Sequence, residues 1–324
     1  MSFSKFIIAL CLLVVSGSNA QANLLNAKSP SEIGKKSAAQ LNSDNDKPLP
    51  YGYVHDRDIM MGRMIWELID LDERVNFPLY YPTDTNNIGN DRRSLFDVIL
   101  KNVKSGRIKE VYSDSYFNTK KTLKEMQSSF KHRDTLQAGF DEINNNYDAY
   151  YPKEKEVRVK EGKQWVIKKQ PATPAKELDK QFINERELAA IDISGYKIKG
   201  YWYFDKRQGE LKYRLMGICP VAPEARDIGK DNPDVIELFW IYYPSIREVL
   251  HEAKSFNNRN SAMPISFDHL LNSRRFSGVI QKEENVYGDR QIEDYMKDNS
   301  QIQLIESERV KEKIRDFESD MWNY

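Results

Sequence analysis

Hydrophobic residues first recur with a helical spacing just after residue 50. The spacing i, i+3, i+4, i+7 places side chains on one face of a helix. This spacing is found at Met61, Met64, Ile65 and Leu68. Asp56 or Asp58 stands where an N-terminal cap is needed. The pattern therefore predicts a helix that begins near Asp56.

Three later segments also carry helical signals. Ser94 is a cap residue followed by apolar residues at helical spacing, and Gly106 is suited to end that helix. Thr119–Phe130 and Lys176–Ile191 are predicted as further helices. A long C-terminal helix is predicted from about residue 301 to 322, with an apolar seam of Val310, Ile314, Phe317 and Met321. Such a seam is typical of a helix docked on its own protein, and the alternative is packing on a neighbouring subunit.

Apolar and polar residues begin to alternate at Tyr196, and this period of two indicates a strand. A turn at residues 206–209 joins two such runs into a predicted antiparallel hairpin. One face is apolar, with Tyr196, Ile198, Trp202 and Phe204 on its first strand. The other face carries Lys197, Lys199, Tyr201, Tyr203, Lys212 and Arg214. We expect the second face to be the exposed one.

The run from Val235 to Tyr243 is almost continuously apolar, which predicts a central strand buried on both faces. Pro244 ends it. Ser245 and Glu248 then have the spacing of a capping box for a helix that extends to Lys254.

A sequence echo links the two halves of the chain. Tyr80-Tyr81-Pro82 recurs as Tyr242-Tyr243-Pro244, and a Phe-Asp helix followed by Ser-Gly occurs after each copy. The echo indicates a weak internal duplication of a strand–helix–strand unit. We therefore predict an α+β fold with a mixed or antiparallel sheet, packed helices and a long C-terminal helix.

The first fifty residues predict export. Residues 1–20 have a lysine, an apolar stretch and small residues, which indicates a signal peptide cleaved after Ala20 or Ala22. Leu10 precedes Cys11 where a lipoprotein signal needs a small residue, so we expect no lipid anchor. Residues 21–50 indicate a flexible leader. The folded part is predicted as a first α/β half at 51–130, a variable insertion or connector at 131–192 and a second half at 193–324.

Composition narrows the class of protein. The 324 residues contain 49 Lys and Arg against 49 Asp and Glu, and this neutral balance argues against a dedicated nucleic-acid binder. Hydrophobic residues make up 40%, which is enough to bury a core and excludes wholesale disorder. After residue 20 no apolar run approaches the ~18 residues of a membrane helix. Cys219 is the single cysteine expected in the mature chain, and we expect it to be buried.

Motifs that carry catalysis are missing from the sequence. It contains no nucleophile elbow, phosphate-binding loop or dinucleotide fingerprint. His251-Glu252 lacks the second histidine of a zinc-protease helix. We therefore predict no catalytic, cofactor-binding or metal-binding residues and no enzymatic activity.

The tyrosine- and cation-rich face of the hairpin is the most suggestive feature. Tyr and Arg are enriched at protein interfaces, so its six residues are candidates for partner contact. The same composition also suits sugar stacking on peptidoglycan, and simple solvent exposure of a hairpin remains open.

Long stretches of the chain resemble the gliding-motility family called GldN, or PorN in non-gliding relatives. The similar stretches in the second half are YKIKGYWYFDKRQGELKYRLMGICPV at 196–221, ELFW at 237–240, SFDHLLNSRRF at 266–276, EENVYGDR at 283–290 and KIRDFESDMWNY at 313–324. In the first half they are WELIDLDER at 66–74 and RRSLFDV at 92–98. Residues 131–192 fit least well.

The resemblance implies a periplasmic, non-enzymatic component of the type IX secretion system of Bacteroidota, which supports protein secretion and gliding. It implies a ring built by self-association with an outer-membrane lipoprotein, GldK/PorK, under the outer membrane. It also implies contact with the periplasmic part of the inner-membrane motor, GldM/PorM. The alternative is a periplasmic module that binds peptidoglycan or another glycan. The family has no known catalytic residues, so none carries over.

Overall fold

A computed structural model describes residues 47–85, 92–151, 154–161, 164–171, 178–228, 233–257, 264–297 and 299–322. The predicted signal peptide and all but the end of the predicted leader lie outside these residues. The chain divides into two compact units. The first takes the described residues up to Lys121, together with Ala189–Ala222 and those from Glu237 onward, and the second takes Thr122–Leu188 and Pro223–Ile236.

The strands are β1 Ile59–Asp70, β2 Val111–Tyr112, β3 Lys120–Lys121, β4 Lys131–Thr135, β5 Glu154–Glu161, β6 Gln164–Pro171, β7 Ile183–Glu187, β8 Gly195–Asp205, β9 Glu210–Pro223, β10 Val235–Glu237, β11 Ile241–Tyr242, β12 Lys254–Ser255, β13 Ile265–Ser266 and β14 Val279–Glu283. The α-helices are α1 Phe77–Tyr80, α2 Leu95–Lys104, α3 Leu123–Phe130, α4 Gln137–Asn145, α5 Tyr147–Tyr150, α6 Arg247–Glu252, α7 Phe267–Asn272, α8 Ile292–Tyr295 and α9 Ser300–Trp322. Single 3-10 turns lie at Asp56–Asp58, Arg74–Asn76, Lys180–Phe182, Ala190–Asp192 and Tyr243–Ser245. The α+β prediction is confirmed.

An antiparallel sheet is the frame of the first unit. Its strands follow one another in the order β9, β8, β1, β14, and the short β11 pairs with β9. The β8–β9 pair is the hairpin predicted from Tyr196 onward, and its register sets Ile198 opposite Ile218. The hairpin prediction is therefore confirmed.

The helix predicted from Asp56 is wrong, because these residues form β1 in the middle of the sheet. β1 is covered on both faces. On one face Ile65 packs in a cluster with Ile280, Val310 and Ile314, and on the other Trp66 packs with Cys219 and Trp240. A strand that is buried on both faces is apolar on both, so its residues satisfy a helical spacing as readily as an alternating one.

Other local predictions are also corrected. Lys176–Ile191 is not a helix: its described part contains a 3-10 turn, the strand β7 and a second 3-10 turn. Val235–Tyr243 is not a central strand, because only β10 and β11 form within it. Ser245 does not cap α6, since its hydroxyl donates to the Tyr242 carbonyl (2.7 Å) and the cap position is Ile246.

The two copies of the echo match at one element. Ser94 caps α2 by accepting from the Asp97 N–H, and Ser266 caps α7 by accepting from the His269 N–H, both at 3.2 Å. Ahead of these caps the copies differ, because Tyr80 ends a helix whereas Tyr242 ends a strand.

The C-terminal helix α9 docks on the sheet. Val310 and Ile314 of its predicted seam are buried in the β1–β14 cluster. Ser307 is completely buried, and its hydroxyl oxygen accepts from the Ile280 N–H of β14 at 2.8 Å. The seam therefore serves the chain's own core.

The second unit contains α3, α4, α5 and two strand pairs, β4 with β7 and β5 with β6. The β5–β6 pair is antiparallel and sets Val159 opposite Val166. Of the helix predicted from Thr119, the part from Leu123 onward forms as α3. Leu188 donates its N–H to the Phe130 carbonyl at 2.9 Å, and both side chains are buried.

Candidate interaction surface

The tyrosine- and cation-rich face of the hairpin is less exposed than the sequence suggests. Lys199 and Tyr203 are buried, at 8% and 6% exposure. The other four candidates, Lys197, Tyr201, Lys212 and Arg214, are half-buried. Segments from elsewhere in the chain therefore cover much of this face.

The loop between β2 and β3 covers Lys199. The Lys199 ammonium donates to the Ser115 carbonyl at 3.0 Å and lies 5.0 Å from the ring centre of Trp66 and 4.8 Å from that of Tyr116. Burial lowers the pKa of Lys199, and Lys282 lowers it further. Cation–π contact and the Ser115 bond compensate for part of the lost hydration.

Lys282 contacts the same aromatic rings from the strand on the other side of β1. Trp66 on β1 is the register partner of both Lys199 on β8 and Lys282 on β14. The Lys282 ammonium lies 4.3 Å from the Trp66 ring centre and donates to the Tyr116 hydroxyl at 2.7 Å. Burial lowers the pKa of Lys282 as well. These cations are thus part of the packing of the sheet.

Lys197 and Lys212 have acidic partners within the chain. Lys197 forms an ion pair with Glu237 at 2.9 Å. Lys212 lies 3.8 Å from the Asp205 carboxylate, which is itself buried. Each lysine therefore has an acidic partner within the chain that offsets its charge.

Residues 49–54, just ahead of the first 3-10 turn, cover Arg214. Arg214 donates to the Gly52 carbonyl at 2.9 Å, and the Tyr51 ring lies between two guanidinium groups, 4.7 Å from that of Arg214 and 4.1 Å from that of Arg247. The Tyr51 hydroxyl donates to the Asn272 side-chain oxygen at 2.9 Å. Burial raises the pKa of Tyr51 to about 12, with the Arg247 charge opposing that rise. The interface role of the six candidates stays a prediction.

The loop at residues 284–290, after β14, exposes large apolar side chains. Val286 is 93% exposed and Tyr287 is 76% exposed. We refer to it below as the 284–290 loop. A monomer gains no burial energy from side chains in that position, and exposed apolar groups in a defined geometry are typical of contact sites.

Hydrogen bonds hold the backbone of the 284–290 loop in one conformation. The Asn285 side-chain oxygen accepts from the Tyr287 N–H at 3.0 Å, and one Asp289 oxygen accepts from the Asn285 N–H at 3.1 Å. Gly288 and Asp289 both have positive φ, which for Asp289 costs about 1–2 kcal/mol. The loop is therefore preorganised at the expense of some strain.

A second loop braces the first. The other Asp289 oxygen accepts from the Tyr116 hydroxyl at 2.6 Å, and this hydrogen bond lowers the pKa of Asp289. Tyr116 lies in the β2–β3 loop, where an Asp114 oxygen accepts from the Tyr116 N–H at 2.8 Å. Tyr116 thus connects Lys199, Lys282 and Trp66 to the 284–290 loop in one continuous set of contacts.

A family model described as gliding motility associated protein GldN matches residues 54–323. The chain belongs to the GldN family. A search of curated proteins gave no match. The matched range contains the whole sheet, the β2–β3 loop and the 284–290 loop, so these features lie in the family part of this GldN-family chain. The family comprises structural secretion-system components and is not a known enzyme family.

The described residues of this GldN-family chain contain no group of three or more His, Cys, Asp or Glu side chains placed to hold a metal ion. Cys219 is fully buried and unpaired with any other cysteine, as expected, and burial raises the pKa of its thiol. No helix in the described part of the chain is both long and apolar enough to cross a membrane.

The exposed apolar pair was missed at the sequence level. Val286 and Tyr287 stand between Asn285 and Gly288, inside a polar turn. Two large apolar residues in such a turn are a usable signal, because turn residues are normally polar. In the sequence these residues stand out only as part of the GldN-like stretch at 283–290.

Proposed function

We propose that this chain is a non-enzymatic, periplasmic structural component of the type IX secretion system, needed for protein secretion and gliding motility. It forms a ring with an outer-membrane lipoprotein of the GldK/PorK kind and couples that ring to the inner-membrane motor through GldM/PorM. Export by the expected signal peptide brings it to the periplasm, and the lipoprotein attaches it to the inner face of the outer membrane.

The 284–290 loop is the observation that carries the proposal. It presents exposed Val286 and Tyr287 on a backbone fixed by Asn285 and Asp289. A preorganised loop loses little conformational entropy when it binds, so most of its contact energy is available for assembly. Binding to another protein surface accounts for such a loop better than catalysis does.

Crosslinking in intact cells, followed by envelope fractionation and mass spectrometry, tests the proposal. The expected result is recovery of the chain with the partner lipoprotein in a very large outer-membrane assembly. A free monomer would overturn it. Recovery with the sacculus alone would favour the glycan-binding alternative, and pull-down of the purified protein on isolated sacculi would decide that point.

A further inference from the structure

An aromatic pocket lies beside helix α1. Its volume is about 640 Å³, and it is lined by Arg74, Phe77, Pro78, Tyr81, Pro82, Arg92 and Phe256. Tyr81 is 49% exposed and Phe256 is 39% exposed. The pocket therefore combines an apolar floor and walls with two arginines.

Packing and hydrogen bonds hold the pocket walls in place. The Ser255 hydroxyl donates to the Pro78 carbonyl at 2.6 Å, next to Phe256 in the chain. Leu79 of α1 is completely buried, and the rings of Phe77 and Tyr81 meet edge to face at 5.3 Å. The pocket thus exists in the single chain.

The 284–290 loop cannot fill the pocket of its own chain. The Glu284 N–H donates to the Met64 carbonyl in the middle of β1, whereas the pocket lies beyond Asp70, the last residue of that strand. The six residues from Met64 to Asp70 span ~20 Å of strand at ~3.3 Å per residue. The loop and the pocket therefore lie at different positions along β1, as a head-to-tail contact between copies requires.

Acidic residues ahead of the loop's apolar tip are complementary to the pocket's arginines, whereas Arg290 at the end of the loop lies 5.7 Å from the Tyr287 ring centre. Glu283 and Glu284 immediately precede the apolar tip of the loop, and Glu284 is exposed. The pocket contributes Arg74 and Arg92, both exposed, with the Arg92 guanidinium 4.7 Å from the Phe256 ring centre. Among the described residues, no ion pair involves any of these four side chains.

We infer that the 284–290 loop of one copy inserts Val286 and Tyr287 into the aromatic pocket of the next copy, with Glu284 facing Arg74 and Arg92. This inference rests on the proposed ring, because it assigns the contact by which neighbouring copies join. The contact is heterologous: each copy donates its loop at one end and receives a loop at the other, so a chain of copies can close into a ring.

Disulfide trapping between two tagged copies tests the contact. Full-length Tyr287→Cys and Tyr81→Cys, each with its own tag, are expressed together in a strain lacking the native protein, and the envelope is oxidised. Cys219 does not interfere, because it is buried. A crosslink between the two tags is expected in cells that express both variants. Each variant alone should give none, since Tyr287 of one copy never meets Tyr287 of another. Tyr53→Cys, 86% exposed in the wild type, replaces Tyr81→Cys as the matched control and should not crosslink.

Assembly of surface variants gives the second readout. Val286→Ser with Tyr287→Ala removes only exposed side chains, so the fold should be kept while the sedimenting fraction falls about tenfold or more. Glu284→Arg should weaken assembly, and Arg74→Glu with Arg92→Glu should restore it. The inference is overturned if the Val286→Ser, Tyr287→Ala variant assembles normally and no crosslink forms between positions 287 and 81. The proposed function would still stand in that case. If the wild type forms no assembly by itself or with the lipoprotein, both fail.

Discussion

The buried ion pair between Glu67 and Arg274 gives the sharpest test of how this fold is held together. Glu67 lies on the central strand and is 1% exposed. Arg274 reaches it from 207 residues away and donates two hydrogen bonds, each 2.8 Å long. The guanidinium also lies 5.1 Å from the Trp202 ring centre and 4.3 Å from that of Tyr213. We expect Arg274→Met to be among the most destabilising single changes in the first unit.

The magnitude follows from the burial of Glu67. Removing one partner of a buried pair leaves the other charge without compensation, which costs about 3–5 kcal/mol. Loss of the cation–π contacts adds to this cost. A domain of ordinary stability has about 5–15 kcal/mol in total, so the variant should unfold at a much lower denaturant concentration.

Arg107 and Glu252 provide a matched control. They form the same two-bond geometry, at 2.7 and 2.9 Å, but the side chains are 47% and 61% exposed. The hydrogen bond from Arg107 lowers the pKa of Glu252. Because solvent screens an exposed pair, Arg107→Met should cost only about 0–1 kcal/mol. The substitution is the same and the pair geometry is similar, so the difference between the variants measures burial together with the cation–π contacts that Arg274 makes.

Urea unfolding followed by tryptophan fluorescence gives the free energy of unfolding of each variant. Glu67→Gln added to Arg274→Met should recover part of the loss, since the uncompensated charge is then gone. The reasoning is refuted if Arg274→Met and Arg107→Met differ by less than about 1 kcal/mol, or if the double variant is no more stable than Arg274→Met.

Two further predictions concern the packing of the sheet. Ser307→Ala leaves the Ile280 N–H buried without an acceptor, so it should destabilise by about 1–3 kcal/mol in urea unfolding, whereas exposed Ser319→Ala should change little. Gly200→Ala would place a methyl group 2.0 Å from the Tyr213 hydroxyl oxygen, so it should cost about 1–3 kcal/mol in the same assay; a neutral result would show that the ring moves freely.

Periodicity predicted the elements with one exposed or loosely covered side. The hairpin from Tyr196, the Ser94 helix cap and the docked seam of Val310 and Ile314 formed as expected. The central strand β1 was missed, because apolar side chains on both of its faces remove the alternation that marks a strand. Fold class was therefore predictable while the position of the most buried strand was not.

Which part of the hairpin is exposed depends on segments distant in sequence. Lys199 is covered by Ser115 and Tyr116, and Arg214 is covered by Tyr51 and Gly52. An alternating pattern predicts which side chains share a face, but it does not predict which segments of the chain cover that face. For this reason the six residues chosen from the hairpin include side chains that the chain has already used internally.

The two sites of the inferred head-to-tail contact differ in how far the sequence reveals them. The loop is local, so Val286 and Tyr287 inside a polar turn could have been recognised from the sequence alone. The pocket is not local: it needs α1, Arg92 and Phe256, which only tertiary packing brings together. The fold also sets the distance between them, because the loop is bonded to Met64 in the middle of β1 whereas the pocket lies beyond Asp70, the last residue of that strand. A rigid strand that separates a donor site from an acceptor site fixes the direction in which copies can add, and that is the property a ring subunit needs.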